Sequence, residues 1–492
     1  MGSTHHAATR PEDRIPFSGK LAYGAGAFVN NLLSAASGGM MIVLNLGLGM
    51  NPALVGLLGA IPRLTDAFTD PVMGYISDNA DTRWGRRRPF IFTGVFVAAL
   101  LFALLWQLPR GQSEGFLFWW FLIGSILFYA GYTLWVTPWV ALGYELTPDY
   151  HERTRLMGTQ NFIGQLAYVV SPWFLWIMNS GRFFRDADGA PDQVSGAAGL
   201  AIVVAVVTVG LGVLPAIFLR ERMKDVAAAE AARGKAGGLA ANVKDFLSGF
   251  GVTLKSGPFL KLCAATFLVF NGFILISAFA SYVIIYYVCG GDQELGARYV
   301  GWAGTVGGLS TFGVVAFVTW LGTRVGKRRA FITGVAVSIV GYGLKWVCYN
   351  PAEPWLVLVP APLMAFGLGT LFTLVPSMVA DVVDTDELET HERREGMYGS
   401  IFWWTVKLGL SAALAGSGYL LNATGFDVEL GGNQTARAIT LLRASDTLIP
   451  MLTSALAIWA VVRFPITEER AGEVRAELER RRGPAAAEGS SS

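Results

Sequence analysis

The feature that most constrains this chain is a series of apolar runs of twenty or more residues, with charge squeezed into short segments between them. Only 15% of the 492 residues are charged, where a soluble protein carries about 25%. Runs of that length span a bilayer core of about 30 Å. Twelve of them read as membrane helices, at about 18–46, 53–78, 89–108, 116–146, 154–180, 197–220, 258–288, 298–321, 329–348, 355–383, 396–422 and 440–464. The polar start, MGSTHHAATRPEDRIPFSGK, leads into a run that holds Asn30 and Asn31 and is long enough to span, so it reads as a first membrane helix and not a cleaved leader. Of the 38 Lys and Arg, only Arg110, Arg182, Arg185, Arg298, Arg437 and Arg443 fall in loops on the far side from the termini. Basic residues stay in the cytoplasm, so both termini are expected there, in a multi-pass protein of the cytoplasmic membrane.

The chain repeats itself. RWGRRRPFI at 83–91 returns as RVGKRRAFI at 324–332, and HER at 151–153 returns at 391–393. Each copy follows the matching span of its half. The expected organisation is an N-tail (1–17), a six-helix bundle (18–220), a linker (221–257), a second six-helix bundle (258–464) and a C-tail (465–492). Parallel repeats of six spans resemble the major facilitator fold, an all-α membrane architecture with its site near the midplane between the halves. In the linker, Val243, Phe246, Leu247, Phe250 and Leu254 recur at helical spacing, which predicts a helix on the inner membrane surface. The tail after Arg482 reads as disordered.

Enzyme chemistry finds no foothold. GTRVGKR at 322–328 is one residue short of a phosphate loop and lacks its Ser or Thr. The four histidines fall outside the spans with no metal spacing, and no nucleophile elbow is present. Cys263, Cys289 and Cys348 make neither a disulfide framework nor a zinc site, although a Cys289–Cys348 bridge on the outer side stays open. No cofactor and no nucleic-acid partner are expected, and the chain is expected to work as a monomer.

The polar residues inside the spans need a reason to be there. RLTDAFTDPVMGYISD at 63–78 puts Arg63, Asp66 and Asp70 in one span. Asp66 and Asp70 are four apart, so they share a helix face with Cβ atoms about 6 Å apart. Two ionised carboxylates at that distance repel by about 3 kcal/mol at an effective dielectric of 20. A hard cation between their oxygens removes the penalty, and so does a proton on one of them. The pair therefore reads as a cation-responsive site, Na⁺ if the ion is sodium, with Thr69 adding an oxygen at its edge. The plainer reading is a buried Asp66–Arg63 pair. Lys407, about eleven residues into its span in SIFWWTVKLGLSAA, should point inward to an acid. Lys345 and Lys261 lie nearer span ends and read as lysines reaching for the interface.

Four long stretches carry a family resemblance. They are DAFTDPVMGYISDNADTRWGRRRP, YTLWVTPWVALGYELTPDYHERTRL, DVVDTDELETHERREGMYGSIFWWTVKLG and FPITEERAGEVRAELERR. They resemble the helix-two, helix-four, helix-ten-to-eleven and C-terminal segments of the glycoside–pentoside–hexuronide:cation symporters, the melibiose-carrier-like group. The resemblance implies symport of a sugar or glycoside with Na⁺, Li⁺ or H⁺, a hydroxyl from Thr133 at the cation site, and a linking role for Lys407 between cation and sugar. A lysolipid symporter branch of the same group supplies the alternative cargo. A non-transporting sugar sensor is the other alternative.

The sugar site departs from that group. Acids expected on helices one and four, and an arginine early in helix five, are Asn31, Val136 and Asn161 here. The polar and aromatic candidates that remain are Asn30, Asn31, Tyr132, Trp135, Trp139, Asn161, Gln165 and Trp403, with Lys407. Amides and rings suit a neutral sugar, yet tryptophans also mark interfaces and amides also glue helices. At the inner mouth, Asp78, Arg83, Gly85, Arg86 and Arg153 on one half, and Asp381, Asp384, Arg393 and Arg394 on the other, read as a gate of opposite charges. Pro138, Pro360, Pro362 and Pro376 are expected to kink spans four and ten.

Overall fold

The computed structural model describes residues 11–78, 80, 82–147, 149–185, 192–221, 255–390 and 395–488. The described residues divide into two compact units, within 1–239 and 240–492. The expected linker helix at 243–254 and the pair Arg393 and Arg394 lie outside the described residues.

Unit 1 contains α1 (Phe17–Gly39), α2 (Ile42–Leu46), α3 (Pro52–Asp78), α4 (Arg88–Leu105), α5 (Glu114–Glu145), α6 (Tyr150–Val170), α7 (Phe174–Asn179), α8 (Gln193–Gly212) and α9 (Leu214–Phe218). Unit 2 contains α10 (Gly257–Tyr282), continued by a π-helical stretch at Val283–Val288, then α11 (Gln293–Val325), α12 (Lys327–Cys348), α13 (Pro360–Thr390), α14 (Glu395–Ala423), α15 (Ala436–Val462) and α16 (Glu468–Glu488). All twelve expected spans coincide with helical segments. Side chains written into the sequence start several of them. Ser113, Asp149, Asp192, Asp292 and Thr435 each accept a backbone N–H of the first turn that follows, which satisfies donors that a helix start leaves orphaned.

The internal repeat extends to packing. In unit 1, α5 packs on α3 and α4, α1 on α6 and α8, and α4 on α8. In unit 2, α13 packs on α11 and α12, α10 on α14 and α15, and α12 on α15. Small residues permit the closest approaches. A Cβ added at Gly94 would stand 2.7 Å from the Trp135 backbone nitrogen, and one at Gly341 would stand 2.8 Å from that of Met364. Small residues bring backbones together where lipid gives no hydrophobic push.

Nine helical segments among the described residues are long and apolar enough to cross a membrane. The expected spans outside that set are α3, α6 and α14. These three carry Asp66 and Asp70, Asn161 and Gln165, and Lys407.

Two expectations are corrected and one open alternative is closed. Pro360 and Pro362 stand in the first turn of α13 and start the helix instead of breaking it, while Pro138 and Pro376 do lie inside α5 and α13. Proline is tolerated in a first turn because the N–H it lacks has no partner there. The tail after Arg482 continues as helix to Glu488. The three cysteines are free thiols, so no Cys289–Cys348 bridge forms.

Candidate functional site

In unit 1, polar side chains converge from α1, α3, α5 and α6. On α3, Thr69 and Asp70 are half-buried. Asp66 lies one turn before Asp70 on the same helix, and its side chain is outside the described residues, as is that of Asp78. The Thr133 hydroxyl on α5 donates to Asp70 Oδ1 at 3.0 Å. Thr137, one turn on, reaches the same oxygen at 3.5 Å. The Thr69 and Thr133 hydroxyls stand 3.5 Å apart. A carboxylate and three hydroxyl oxygens thus meet in one place, the ligand type that hard cations take. Thr137 escaped the sequence reading. Its signal was the four-residue spacing from Thr133, which puts both on one face of α5.

An Arg63–Asp66 pair lies outside the described residues, and Arg63 has further company. Its guanidinium lies 4.7 Å from the Tyr129 ring centroid and 3.4 Å from the Ser34 hydroxyl.

A second polar group adjoins the first along α5. Tyr132, the neighbour of Thr133, donates its hydroxyl to Asn30 Oδ1 on α1. Asn30 in turn donates to Asn31 Oδ1 at 3.1 Å. A Cβ at Gly164 on α6 would stand 2.9 Å from the Asn31 amide nitrogen, so α6 meets α1 here. Asn161 and Gln165 flank that glycine, with the Gln165 amide 3.5 Å from Asn161 Oδ1. Asn30, Asn31 and Tyr132 thus form one hydrogen-bonded group, and Asn161 and Gln165 lie on the helix that meets it. The Trp135 ring lies 6.2 Å from that of Tyr132, with Trp139 beyond it. Both are almost fully buried and stacked, with centroids 5.8 Å apart and planes 5° apart. Trp135 Nε1 donates to the Gly212 carbonyl at 3.2 Å, so its polar edge is committed to helix packing.

In unit 2, Lys407 is half-buried on α14. Trp403, one turn earlier, is half exposed and stacks on Phe372 with centroids 6.2 Å apart. Lys345 corrects its expectation: it does not reach for the interface. Its side chain and that of Asp446 are each 1% exposed, and the two are in direct contact. Lys345 Nζ also donates to the Asp446 carbonyl at 3.3 Å, under the Tyr349 ring. Asp446 was missed, though an acid in an apolar span carries the same signal as Asp66 and Asp70. Lys261 donates to the Arg463 carbonyl at 2.7 Å, near a span end as expected.

At the basic end, charges pair inside each unit. Gly85 has a φ of 110°, and a Cβ there would stand 2.5 Å from the Glu221 carboxylate. That carboxylate accepts the backbone N–H groups of Arg86, Arg87 and Arg88 at 2.9, 2.9 and 3.1 Å, capping α4. The Arg86 and Arg87 guanidinium groups pair with Glu145 at the end of α5. Unit 2 repeats the motif: Gly326 has a φ of 83°, and a Cβ there would stand 2.9 Å from Glu468 Oε2. Asp381 pairs with Lys327 through both oxygens at 2.7 Å. Arg153 donates to the Thr147 carbonyl at 3.1 Å. Arg83 is exposed and Asp384 half-buried. Glu145, Glu221 and Glu468 were missed because they are far in sequence from the motifs they meet, while Lys327 stood inside its motif with no sign that Asp381 was its partner.

Known proteins similar to this chain are symporters and transporters by name. The isoprimeverose transporter of Lactiplantibacillus pentosus is 23% identical, over 94% of this chain and 92% of that protein. The sodium-dependent lysophosphatidylcholine symporter 1 of Mus musculus is 22% identical, over 98% and 92%. Among solved structures, a bacterial homolog of the human lysosomal transporter Spinster, inward-facing and unoccupied, superposes with a TM-score of 0.63 at 15% identity, covering 91% of this chain and 96% of that one. The family model described as MFS/sugar transport protein matches residues 22–468. With that match over two repeated helical units and a carboxylate among hydroxyls inside a span, the chain belongs to the MFS/sugar transport protein family, the melibiose-carrier-like symporters of the major facilitator superfamily.

Proposed function

We propose that this protein carries a neutral sugar or glycoside across the cytoplasmic membrane together with Na⁺, by alternating access, with both termini in the cytoplasm. The observation that carries the reading is Asp70 with the hydroxyls of Thr133, Thr137 and Thr69 around it, one turn from Asp66. A proton needs only a carboxylate. A sodium ion needs several oxygens, and the hydroxyls supply them. The ion removes the repulsion between Asp66 and Asp70 that an empty site must bear.

Coupling runs along α5. Thr133 faces the ion, and its neighbour Tyr132 holds Asn30. An ion that draws in Thr133 and Thr137 also sets the Tyr132–Asn30–Asn31 band that receives sugar hydroxyls with Asn161 and Gln165. Trp403 offers unit 2 a ring for the apolar face of a sugar. Lys407 is the charge unit 2 brings, in the linking role that the family resemblance implies. Arg83, Arg86, Arg153, Asp381 and Asp384 serve the inner mouth, with the within-unit pairs fixing the ends that open and close. The test is uptake by vesicles containing the purified protein. Na⁺-driven sugar accumulation is expected, lost in Asp70→Asn. Undiminished accumulation in that variant sinks the cation site, and accumulation driven only by a pH gradient replaces Na⁺ with H⁺. The mouse relative favours an amphiphile cargo as a second reading, which predicts competition by lysophospholipid and none by sugars.

A further inference from the structure

Unit 1 has a groove of about 500 Å³ whose walls are almost wholly apolar. Leu21, Ala25 and Phe28 of α1, Ile163 of α6, and Leu211 and Phe218 of α8 and α9 line it. It follows α1 from Ser18 to Phe28, about 15 Å at the rise of a helix. Leu21 and Phe218 are exposed, so the groove opens on the surface of the unit. A membrane-spanning chain meets hydrocarbon at that depth. The groove has one polar end. Ser18 lies on its lining there, next to Gly19 in the chain, and Arg14 and Arg220 are exposed. Their neighbours Ile15 and Leu219 converge on one point: a Cβ at Gly19 would stand 3.1 and 3.5 Å from them. Arg88 adds a third cation at this end, donating to the Ala216 and Ile217 carbonyls.

We propose that this groove holds one acyl chain of an anionic phospholipid from the leaflet on the basic side, with the lipid phosphate held by Arg14, Arg220 and the Ser18 hydroxyl. Hydrocarbon alone fits the walls, and only a headgroup with an uncompensated negative charge fits the end. The groove also has a place in transport. Ile163 is two residues from both Asn161 and Gln165, and Phe28 is two from Asn30, which is about 200° around a helix. The bound chain therefore packs behind the faces of α6 and α1 that carry those amides, and stiffens them from the far side.

The test is thermal unfolding of the full chain in detergent, with phosphatidylglycerol or phosphatidylcholine of identical acyl chains added. A ligand of the folded state raises the Tm. The expected result is a Tm rise of several degrees with phosphatidylglycerol and a much smaller one with phosphatidylcholine. Arg14→Gln with Arg220→Gln should bring the first down to the second. Ala25→Phe, which fills the groove, should abolish both. Equal shifts from the two lipids in the unaltered protein overturn the proposal. So does a phosphatidylglycerol shift that survives the arginine substitutions or the filled groove. Should Ala25→Phe fail to fold, the arginine pair alone decides, since both side chains are on the surface.

Discussion

Thr133 and Thr137 share one acceptor, Asp70 Oδ1, at different distances, and that difference ranks them. A hydrogen bond to a charged group is worth about 1.5–3 kcal/mol. Thr133→Ala should raise the half-saturating Na⁺ concentration at least about tenfold, which is about 1.4 kcal/mol. Thr137→Ala should raise it less. A Na⁺ titration of the Tm reads both, and an unchanged midpoint in Thr133→Ala removes that residue from the site. Lys345 and Asp446 make the opposite case, a pair with no access to water. Removing one partner leaves a buried lone charge and costs about 3–5 kcal/mol. Lys345→Met should lower the Tm sharply, and Lys345→Met with Asp446→Leu should recover most of the loss. Losses that simply add would show that pairing is not what the site contributes. Much at this scale was legible. Asp70 and Asn30 stood out as polar residues in apolar runs, and Thr133 came in only through the family resemblance. Trp135 could not be placed, because a tryptophan that fills a core and one that lines a cavity share the same sequence.

Helix ends are held by carboxylates that come from elsewhere in the chain. At Gly85, a side chain would meet both a left-handed backbone, costing about 1–2 kcal/mol, and the Glu221 carboxylate. Gly85→Ala should therefore destabilise by at least about 2 kcal/mol, as a lowered Tm. A neutral outcome would mean that Glu221 leaves α4 freely. Glu152, in the first turn of α6, is another carboxylate with distant partners. It accepts from the Ile15 amide at 3.0 Å and pairs with Lys20 at 2.7 Å. Burial pushes its carboxyl up, but Lys20, the Ile15 amide and Arg155 outweigh that and hold it below its ordinary 4.5. A carboxyl depressed in the folded state stabilises fully above its unfolded value, and the gain is lost as pH falls through the folded one. The protein should lose Tm below about pH 4.5. Glu152→Gln should start lower at pH 7 and lose that part of the slope. Parallel curves for the two proteins would refute this. Caps such as Asp149 and Asp292 were readable because they stand beside their helices. Glu221 was not, because a glutamate after the last span of a half gives no sign of which helix it caps.

The whole chain was most legible in its repeat. Two copies of one basic motif predicted two units, and each unit packs its helices in the same pairs. Orientation rests on the distribution of Lys and Arg, and labelling tests it. In a background with Cys263, Cys289 and Cys348 replaced, Gly111→Cys should react with an impermeant maleimide in intact cells. Arg324→Cys should react only after the membrane is opened. The reverse pattern would invert the protein. What composition hid was the difference among spans. Among the described residues, the helices that carry Asp66 and Asp70, Asn161 and Gln165, and Lys407 are the expected spans that do not reach the length and apolarity of a membrane segment.

That shortfall bears on how the protein is made. Each ionised residue near the middle of a segment adds about 2.5–3.5 kcal/mol to its transfer from the translocation channel into lipid. α3, with Arg63, Asp66 and Asp70, is a poor candidate to leave that channel alone. It must wait for a neighbour that covers its polar face, and α5, which supplies Thr133 and Thr137, is synthesised only after α4. The charges of α3 thus predict an order of assembly in which α3 stays at the channel until α5 emerges from the ribosome, and crosslinking of stalled nascent chains to the channel should show α3 released only in chains long enough to include α5.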